Sequence, residues 1–121
     1  MKLREIQKLL DARILEGEEL LDRQIETCCG SDMMSDVLAF TKRSTLLCTG
    51  LTNMQVVRTA DMTELSGVVF VRGKVPDREI LEAAAEDGLP VLVTEYTLFE
   101  ACGILYGAGI RGCSKRGRYN E

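Results

Sequence analysis

Residues 45–71 read TLLCTGLTNMQVVRTADMTELSGVVFV and decide the fold class of the chain. Two apolar runs, at 45–48 and 68–71, are continuous instead of alternating between apolar and polar residues. Continuous runs are typical of parallel strands, which are covered on both faces. Between the runs, apolar residues recur at helical spacing at Met54, Val57 and Ala60. The stretch therefore predicts a strand, a helix and a second, parallel strand.

The same alternation extends to both sides of this stretch. Downstream, a helical pattern at Ile80, Leu81 and Ala84 precedes a third apolar run at 91–93. Upstream, a helical stripe is formed by Leu3, Ile6, Leu9 and Leu10, and short strands are predicted around Ile14 and Ile25. Right-handed crossovers would pack the helices over a parallel sheet. We predict an α/β chain with a Rossmann-like, three-layer sandwich and a single domain.

Several residues mark the ends of the predicted helices. Thr52 and Gln55 fit a capping box, Pro76 suits a first helical turn, and Gly88 suits a helix stop. Thr94 is predicted to cap a last helix. That helix would place on one side Leu98, Cys102 and Leu105, joined by Phe99 and Tyr106.

Length and charge limit the classes of function. A chain of 121 residues has room for one domain, and the formal net charge of −4 disfavours nucleic acid and anionic lipid as partners. We assign residues 1–110 to the domain and residues 111–121 to a basic, mobile C-terminal tail. No apolar stretch is long enough for a bilayer-spanning helix, so we expect no membrane association and a cytoplasmic protein.

Catalytic chemistry has little support in the sequence. Histidine is absent, which removes the side chain best suited to proton transfer near neutral pH and a common metal ligand. A phosphate loop is missing, because Gly73-Lys74 is followed by Val75. Residues 107–112 match GxGxxG, but they follow a predicted helix, whose end their glycines more simply explain. We predict no catalytic residue, no metal site and no cofactor.

The cysteines are odd in number and irregularly spaced: Cys28, Cys29, Cys48, Cys102 and Cys113. This pattern favours reduced thiols that pack as small apolar side chains, with a redox or cluster role as the alternative. Cys113 lies in the predicted tail, and we expect it to be the most exposed of the five.

The loops after the three main strands are rich in Thr, Gly and Asn. Ligands of open parallel sheets bind beyond the carboxyl ends of the strands, where free N–H groups of a helix can hold an anion. The predicted ligand-binding residues are Thr49, Gly50, Thr52, Asn53, Arg72, Gly73 and Thr94. The alternative is that Thr52 and Asn53 only cap a helix and that Arg72 pairs with a surface carboxylate.

The order of these segments resembles the DRTGG domain family. The resemblance is carried by residues 46–50, by Asn53 and Gln55, by residues 67–73 with Pro76, and by residues 89–99. The Asp-Arg-Thr of the family name falls at residues 51–53 and its Gly-Gly at Arg72-Gly73, so only fragments of it survive here. The domain accompanies kinases, phosphotransacetylases and regulatory pyrophosphatases as an accessory module, which implies regulation instead of catalysis.

These observations lead to one functional hypothesis and two alternatives. The first is a homodimeric, non-catalytic regulatory module that binds a nucleotide or another small anion at its strand-end loops. The second is an adaptor for a protein partner without a small-molecule site. The third, an enzyme, has the least support because histidine and the phosphate loop are both absent.

Overall fold

The computed structural model describes residues 1–113, in which helices and strands alternate. The strands are β1 (Arg13–Glu16), β2 (Thr27–Gly30), β3 (Thr45–Thr49), β4 (Gly67–Phe70) and β5 (Val91–Val93). The helices are α1 (Leu3–Leu9), α2 (Met34–Phe40), α3 (Met54–Thr63), α4 (Arg78–Glu86) and α5 (Leu98–Gly107). All strands and helices that the apolar patterns predicted are present.

The strands form one sheet in the order β1-β5-β4-β3-β2. The neighbours β2 to β5 are parallel, and only the edge strand β1 is antiparallel, with Arg13 opposite Val93. The strand predicted around Ile14 is confirmed as β1. The strand predicted around Ile25 begins two residues later, at Thr27, because Ile25 is a buried anchor whose N–H donates to the carbonyl of Met1.

The helices cover both faces of the sheet, which confirms the three-layer arrangement. Because β2 to β5 lie side by side in chain order, right-handed crossovers bring α2, α3 and α4 to one face. Helices α1 and α5 cover the other face. Successive residues of β3 serve the two layers in turn: Leu46 and Cys48 pack with α1 and α5, whereas Leu47 packs with α2, α3 and α4.

Burial on both faces explains why the central strands are continuously apolar. Every residue of β3, β4 and β5 is buried, and Leu46, Leu47 and Val69 are fully inaccessible to solvent. Each such aliphatic side chain contributes about 1.5–3 kcal/mol relative to an exposed position. Burial of these side chains therefore stabilises the central strands independently of the polar contacts at the edge of the sheet.

Three expectations about helices were wrong. The cap of α3 is Asn53 and not Thr52, because the Asn53 side chain accepts a hydrogen bond from the N–H of Gln55. Helix α5 is capped by Thr97 and not by Thr94, since Thr97 and Glu100 form a reciprocal capping box. Pro76 lies two residues before α4 instead of in its first turn. The stop at Gly88 is confirmed, with a left-handed φ of +64°.

The region after the last helix also differs from expectation. Phe99 and Tyr106 are 87% and 64% exposed, so they do not share the buried side of α5 with Leu105. Cys113, expected to be exposed, is buried. It is held there because the chain after α5 returns along the outer edge of β2, where the carbonyl of Arg111 accepts a hydrogen bond from the N–H of Cys28.

The boundary predicted at residue 110 stays a prediction, and most of the predicted tail lies outside the described residues. Within residues 1–113, no helix is both long enough and apolar enough to cross a membrane.

Candidate ligand-binding edge

The carboxyl ends of β2, β3 and β4 bring polar residues from three loops to one edge of the sheet. Thr49 and Gly50 end β3, Arg72 follows β4, and Asp32 follows β2. The parallel register aligns these exits, because Gly30 pairs with Cys48, and Thr49 pairs with Phe70. We call the set Asp32, Thr49, Gly50, Arg72 and Lys74 the strand-end cluster.

Asp32 is the acceptor at the centre of this cluster. Its Oδ1 accepts hydrogen bonds from the N–H of Gly50, at 2.7 Å, and from the hydroxyl of Thr49, at 2.9 Å. The Thr49 hydroxyl in turn accepts from the N–H of Leu51, at 3.1 Å. The backbone N–H of Gly50, ahead of the Thr49 hydroxyl and the charges of Arg72 and Lys74, lowers the pKa of the Asp32 carboxyl, against the effect of burial. Asp32 therefore fixes the turn after β3 in its ionised form.

Two cations from the loop after β4 lie against the same turn. The Nη2 of Arg72 is 3.1 Å from the place that a Cβ on Gly50 would occupy, and Lys74 Nζ donates to the carbonyl of Gly50 at 3.4 Å. A side chain at residue 50 would crowd the guanidinium, which would have to shift by a few tenths of an ångström. Both cations remain exposed at the surface.

The backbone that presents Arg72 is left-handed. Arg72 has a φ of +57° and Gly73 a φ of +65°, and their N–H groups donate to the carbonyls of Tyr96 and Thr94, each at 2.8 Å. A non-glycine residue in this conformation costs about 1–2 kcal/mol. The two hydrogen bonds to the loop after β5 hold this unfavourable conformation and set the direction in which Arg72 leaves the sheet.

Backbone donors complete the edge at the start of α3. Among the described residues, the N–H groups of Thr52, Asn53 and Met54 donate no hydrogen bond. Free N–H groups at a helix start attract anions. The nearby carboxylates are Asp32, which is occupied by the turn, and Glu95, whose Cδ is 3.0 Å from the place of a Cβ on Gly73. An incoming anion therefore meets Arg72, Lys74 and backbone donors beside an already bonded carboxylate.

Not all predicted site residues reach this edge with a free group. Thr49, Gly50 and Arg72 are brought together, with Thr52, Asn53 and Gly73 in the adjoining loops. Thr94 is 1% exposed, and its hydroxyl donates to the carbonyl of Leu10 at 2.7 Å. This hydroxyl joins the end of α1 to the end of β5, so it is not free at the edge.

Similarity to known proteins agrees with this architecture. A family model described as the DRTGG domain matches residues 5–108, which is most of the chain. The chain belongs to the DRTGG domain family. The resemblance predicted from sequence is thereby confirmed, and no curated protein sequence matches this DRTGG domain.

A solved structure has the same fold. It is the crystal structure of the CBS and DRTGG domains of the regulatory region of Clostridium perfringens pyrophosphatase, complexed with its activator, diadenosine tetraphosphate. The TM-score is 0.70 at 18% sequence identity, with 86% of this chain covered and 45% of the other chain. The chain thus spans less than half of that regulatory region, and at this identity the likeness shows the fold.

Asp32, the main acceptor of the edge, is not among the ligand-binding residues predicted from the sequence. The residue follows a strand that ends at Gly30, and glycine is depleted in strands. The available signal was the Ser31-Asp32 pair, because Ser and Asp commonly occupy turns.

Proposed function

We propose that this DRTGG domain is a non-catalytic regulatory module that binds a nucleotide or another small phosphate-bearing anion at the strand-end cluster. The observation that carries the proposal is the convergence of Arg72 and Lys74 on the Gly50 turn, beside the free N–H groups that start α3. Guanidinium and ammonium groups next to oriented N–H donors are the recurrent means by which proteins hold phosphate oxygens.

The ligand class has support from the similar structure. The regulatory region of the Clostridium perfringens pyrophosphatase is complexed with the activator diadenosine tetraphosphate, a polyphosphate anion. We therefore use diadenosine tetraphosphate, ATP and inorganic phosphate as the three probes. The mononucleotide and inorganic arms separate recognition of a phosphate from recognition of the dinucleotide.

Thermal unfolding measures the binding directly. A ligand at one hundred times its Kd stabilises the folded state by about 2.7 kcal/mol. We expect a saturable rise in the Tm of the full chain with at least one nucleotide and a fall of that effect with added salt. If all three probes leave the Tm unchanged up to millimolar concentration, the ligand proposal is wrong.

Replacement of Arg72 tests the position of the site without loss of the fold. Because its φ is +57°, Arg72→Gly removes the guanidinium and keeps a backbone conformation that glycine adopts readily. We expect Arg72→Gly to fold normally, within about 1 kcal/mol of the parent, and to abolish the ligand-induced rise in Tm. Arg72→Lys keeps the charge and serves as the matched control, with partial retention of the effect. A full ligand response in Arg72→Gly would place the site elsewhere.

Self-association is the second part of the proposal. Helix α5 is apolar on its outer side as well, where Phe99 and Tyr106 are exposed around Gly103, which has no atom within 4 Å of the place of a Cβ. Two copies of such a helix can approach closely at the glycine, and aromatic residues dominate protein interfaces. We infer a homodimer formed through this face. Light scattering should give twice the monomer mass for the parent and the monomer mass for Phe99→Ser.

An adaptor without a small-molecule site is the second candidate, favoured by the same exposed aromatic face. A monomeric parent that retains a protein from its native host through Phe99, with no ligand response, would support it over the first.

The free thiols of all five cysteines support a reducing compartment, and we propose the cytoplasm. Turnover that disappears in Arg72→Gly would contradict the non-catalytic proposal.

A further inference from the structure

Three of the five cysteines meet beneath α5, away from the strand-end cluster. Cys28 in β2 and Cys48 in β3 belong to the same face of the sheet, and their sulfur atoms are 3.7 Å apart. Cys102, on α5, packs against the same core cluster as these two cysteines and lines the same groove as Cys28. Cys29, next to Cys28 in the chain, packs on the opposite face. We call Cys28, Cys48 and Cys102 the thiol cluster.

A glycine allows this close approach of helix and sheet. A Cβ placed on Gly30 would collide with the sulfur of Cys102 and would lie 3.6 Å from a methyl carbon of Leu98. Because Gly30 has no side chain, α5 can pack closely against the end of β2, near Cys28. This contact brings together thiols that are 74 positions apart in the chain.

The thiol cluster opens to solvent on one side. A groove of about 280 Å³ is lined by Cys28, Cys102, Tyr106, Arg111 and neighbouring residues. Cys102 and Cys28 are both partly exposed, whereas Cys48 is fully buried behind them. A small molecule that enters the groove meets Cys102 and Cys28 and cannot reach Cys48 without a change of structure.

A positive charge stands at the wall of this groove. The guanidinium carbon of Arg111 lies 5.1 Å from the centroid of the Tyr106 ring, which holds the arginine by a cation–π contact. Anionic molecules are therefore favoured over cationic ones at the entrance.

The three thiols differ in acidity as well as in access. Hydrogen bonds from Cys28 and then Cys48 lower the pKa of the Cys102 thiol, against the effect of burial. The pKa values of Cys28 and Cys48 are raised, in each case first by the hydrogen bond to Cys102. Burial raises the pKa of Cys29 to about 11. The thiolate, which is the nucleophilic form, is thus favoured at Cys102, one of the two cysteines that line the groove.

We propose that Cys102 is a modification site that reacts with anionic low-molecular-weight disulfides, and that Cys28 resolves the product into a Cys28–Cys102 disulfide. This inference does not depend on ligand binding at the strand-end cluster. Cys28 is assigned as the resolving thiol because it lines the groove together with Cys102, whereas Cys48 is enclosed.

The chemistry is two successive thiol–disulfide exchanges. The Cys102 thiolate attacks one sulfur of the small disulfide, forms a mixed disulfide and releases one small thiolate, which takes up a proton. The Cys28 thiol then loses its proton and attacks the Cys102 sulfur, which forms the protein disulfide and releases the second small thiol. Two protein thiols are oxidised, and one small disulfide is reduced to two thiols.

Glutathione disulfide is the probe, used on the full chain with a chelator to suppress metal-catalysed oxidation. Intact mass and non-reducing peptide maps should show a Cys28–Cys102 disulfide in the parent. In Cys28→Ser, the same reagent should leave a stable glutathionyl adduct on Cys102, because the resolving thiol is missing. Cys102→Ser should slow modification by about tenfold or more, since the pKa values of Cys28, Cys29 and Cys48 are raised.

Matched variants separate reactivity from loss of structure. Cys29→Ser alters a half-buried cysteine on the other face of the sheet and should leave the rate and the product unchanged. Cys102→Ala repeats the Cys102 test with a smaller apolar side chain, and circular dichroism confirms folding of each variant. The proposal is overturned if Cys102→Ser and Cys102→Ala react as fast as the parent, or if the parent disulfide joins another pair.

Arg111 supplies an independent test of the preference for anions. Arg111 takes part in the fold through its backbone carbonyl, so Arg111→Gln should preserve the structure. We expect it to lower the rate with glutathione disulfide by about threefold at low salt, because the local positive potential is lost. The rate with uncharged hydroxyethyl disulfide should not change. Equal slowing with both reagents would refute the role of charge at this groove.

Discussion

Replacement of Asp32 should weaken the fold and identify the carboxylate as the anchor of the turn after β3. Asp32→Ala removes the acceptor of two hydrogen bonds, from the N–H of Gly50 and the hydroxyl of Thr49, both of which belong to buried residues. Hydrogen bonds to a charged group contribute about 1.5–3 kcal/mol when fully enclosed. Because Asp32 itself is exposed, water can replace part of this hydrogen bonding in the variant. We therefore expect Asp32→Ala to lower the free energy of unfolding by about 1–2 kcal/mol.

Urea unfolding followed by circular dichroism measures this difference, and the Tm should fall by about 3–8 °C. Asp32→Asn keeps an acceptor oxygen without the charge and should lie between the parent and Asp32→Ala. Asp36→Asn removes the same charge from the first turn of α2 and should change stability by less than about 0.5 kcal/mol. Equal stability of the Asp32 and Asp36 variants would refute the reasoning.

The pH dependence of the free energy of unfolding tests whether the Asp32 carboxylate stabilises the fold in its ionised form. The pKa of Asp32 is lowered in the folded state from an ordinary value of 3.8, so the unfolded chain binds the proton first as the pH falls. The stabilising contribution of the carboxylate is therefore complete well above pH 3.8 and is lost as the pH falls through the folded-state pKa. The difference between the parent and Asp32→Asn should be constant near neutrality and should narrow below about pH 4. A difference that widens in acid would contradict the assignment.

Two further predictions concern Gly73, in the loop after β4, and Thr94, which directly follows β5. Gly73→Ala should destabilise the domain by about 1–3 kcal/mol, which is more than Gly88→Ala should. Both residues have a left-handed φ, but only a side chain at residue 73 would also meet Glu95. Equal losses of stability in urea unfolding would contradict the role of that contact. Thr94→Val should lower the free energy of unfolding by about 1–2 kcal/mol, because it leaves the carbonyl of Leu10 without its donor. The ligand-induced rise in Tm should stay at the level of the parent. Loss of that rise would indicate that Thr94 is a ligand-binding residue.

The central part of the fold was predictable because burial on both faces leaves a local mark in the sequence. The runs at 45–48, 68–71 and 91–93 correspond closely to β3, β4 and β5. Helix α2 was missed, since its outer positions carry the exposed apolar residues Leu38 and Phe40, which obscure the helical periodicity. Strand β2 was predicted around Ile25 but begins at Thr27, and its last residue, Gly30, is of a type depleted in strands.

The candidate site was only partly predictable, because its members come from separate loops. Thr49, Gly50 and Arg72 were found through the rule that ligands bind at strand ends. Asp32 joins them only through the pairing of β2 with β3, which is a long-range choice that local patterns do not encode. Thr94 was included by the same rule, but its hydroxyl donates to the carbonyl of Leu10 at the end of α1.

The order of the strands has a consequence for the way a growing chain acquires this fold. The layer formed by α2, α3 and α4 is assembled from consecutive segments, so it can close as each strand is synthesised. The opposite layer requires α1 and α5, the first and last helices of the described chain. Until α5 has left the ribosome, Leu46, Val69 and Leu92 have only half of their cover. Synthesis of α5 is therefore the step that ends the exposure of this sheet face to chaperones and to other nascent chains.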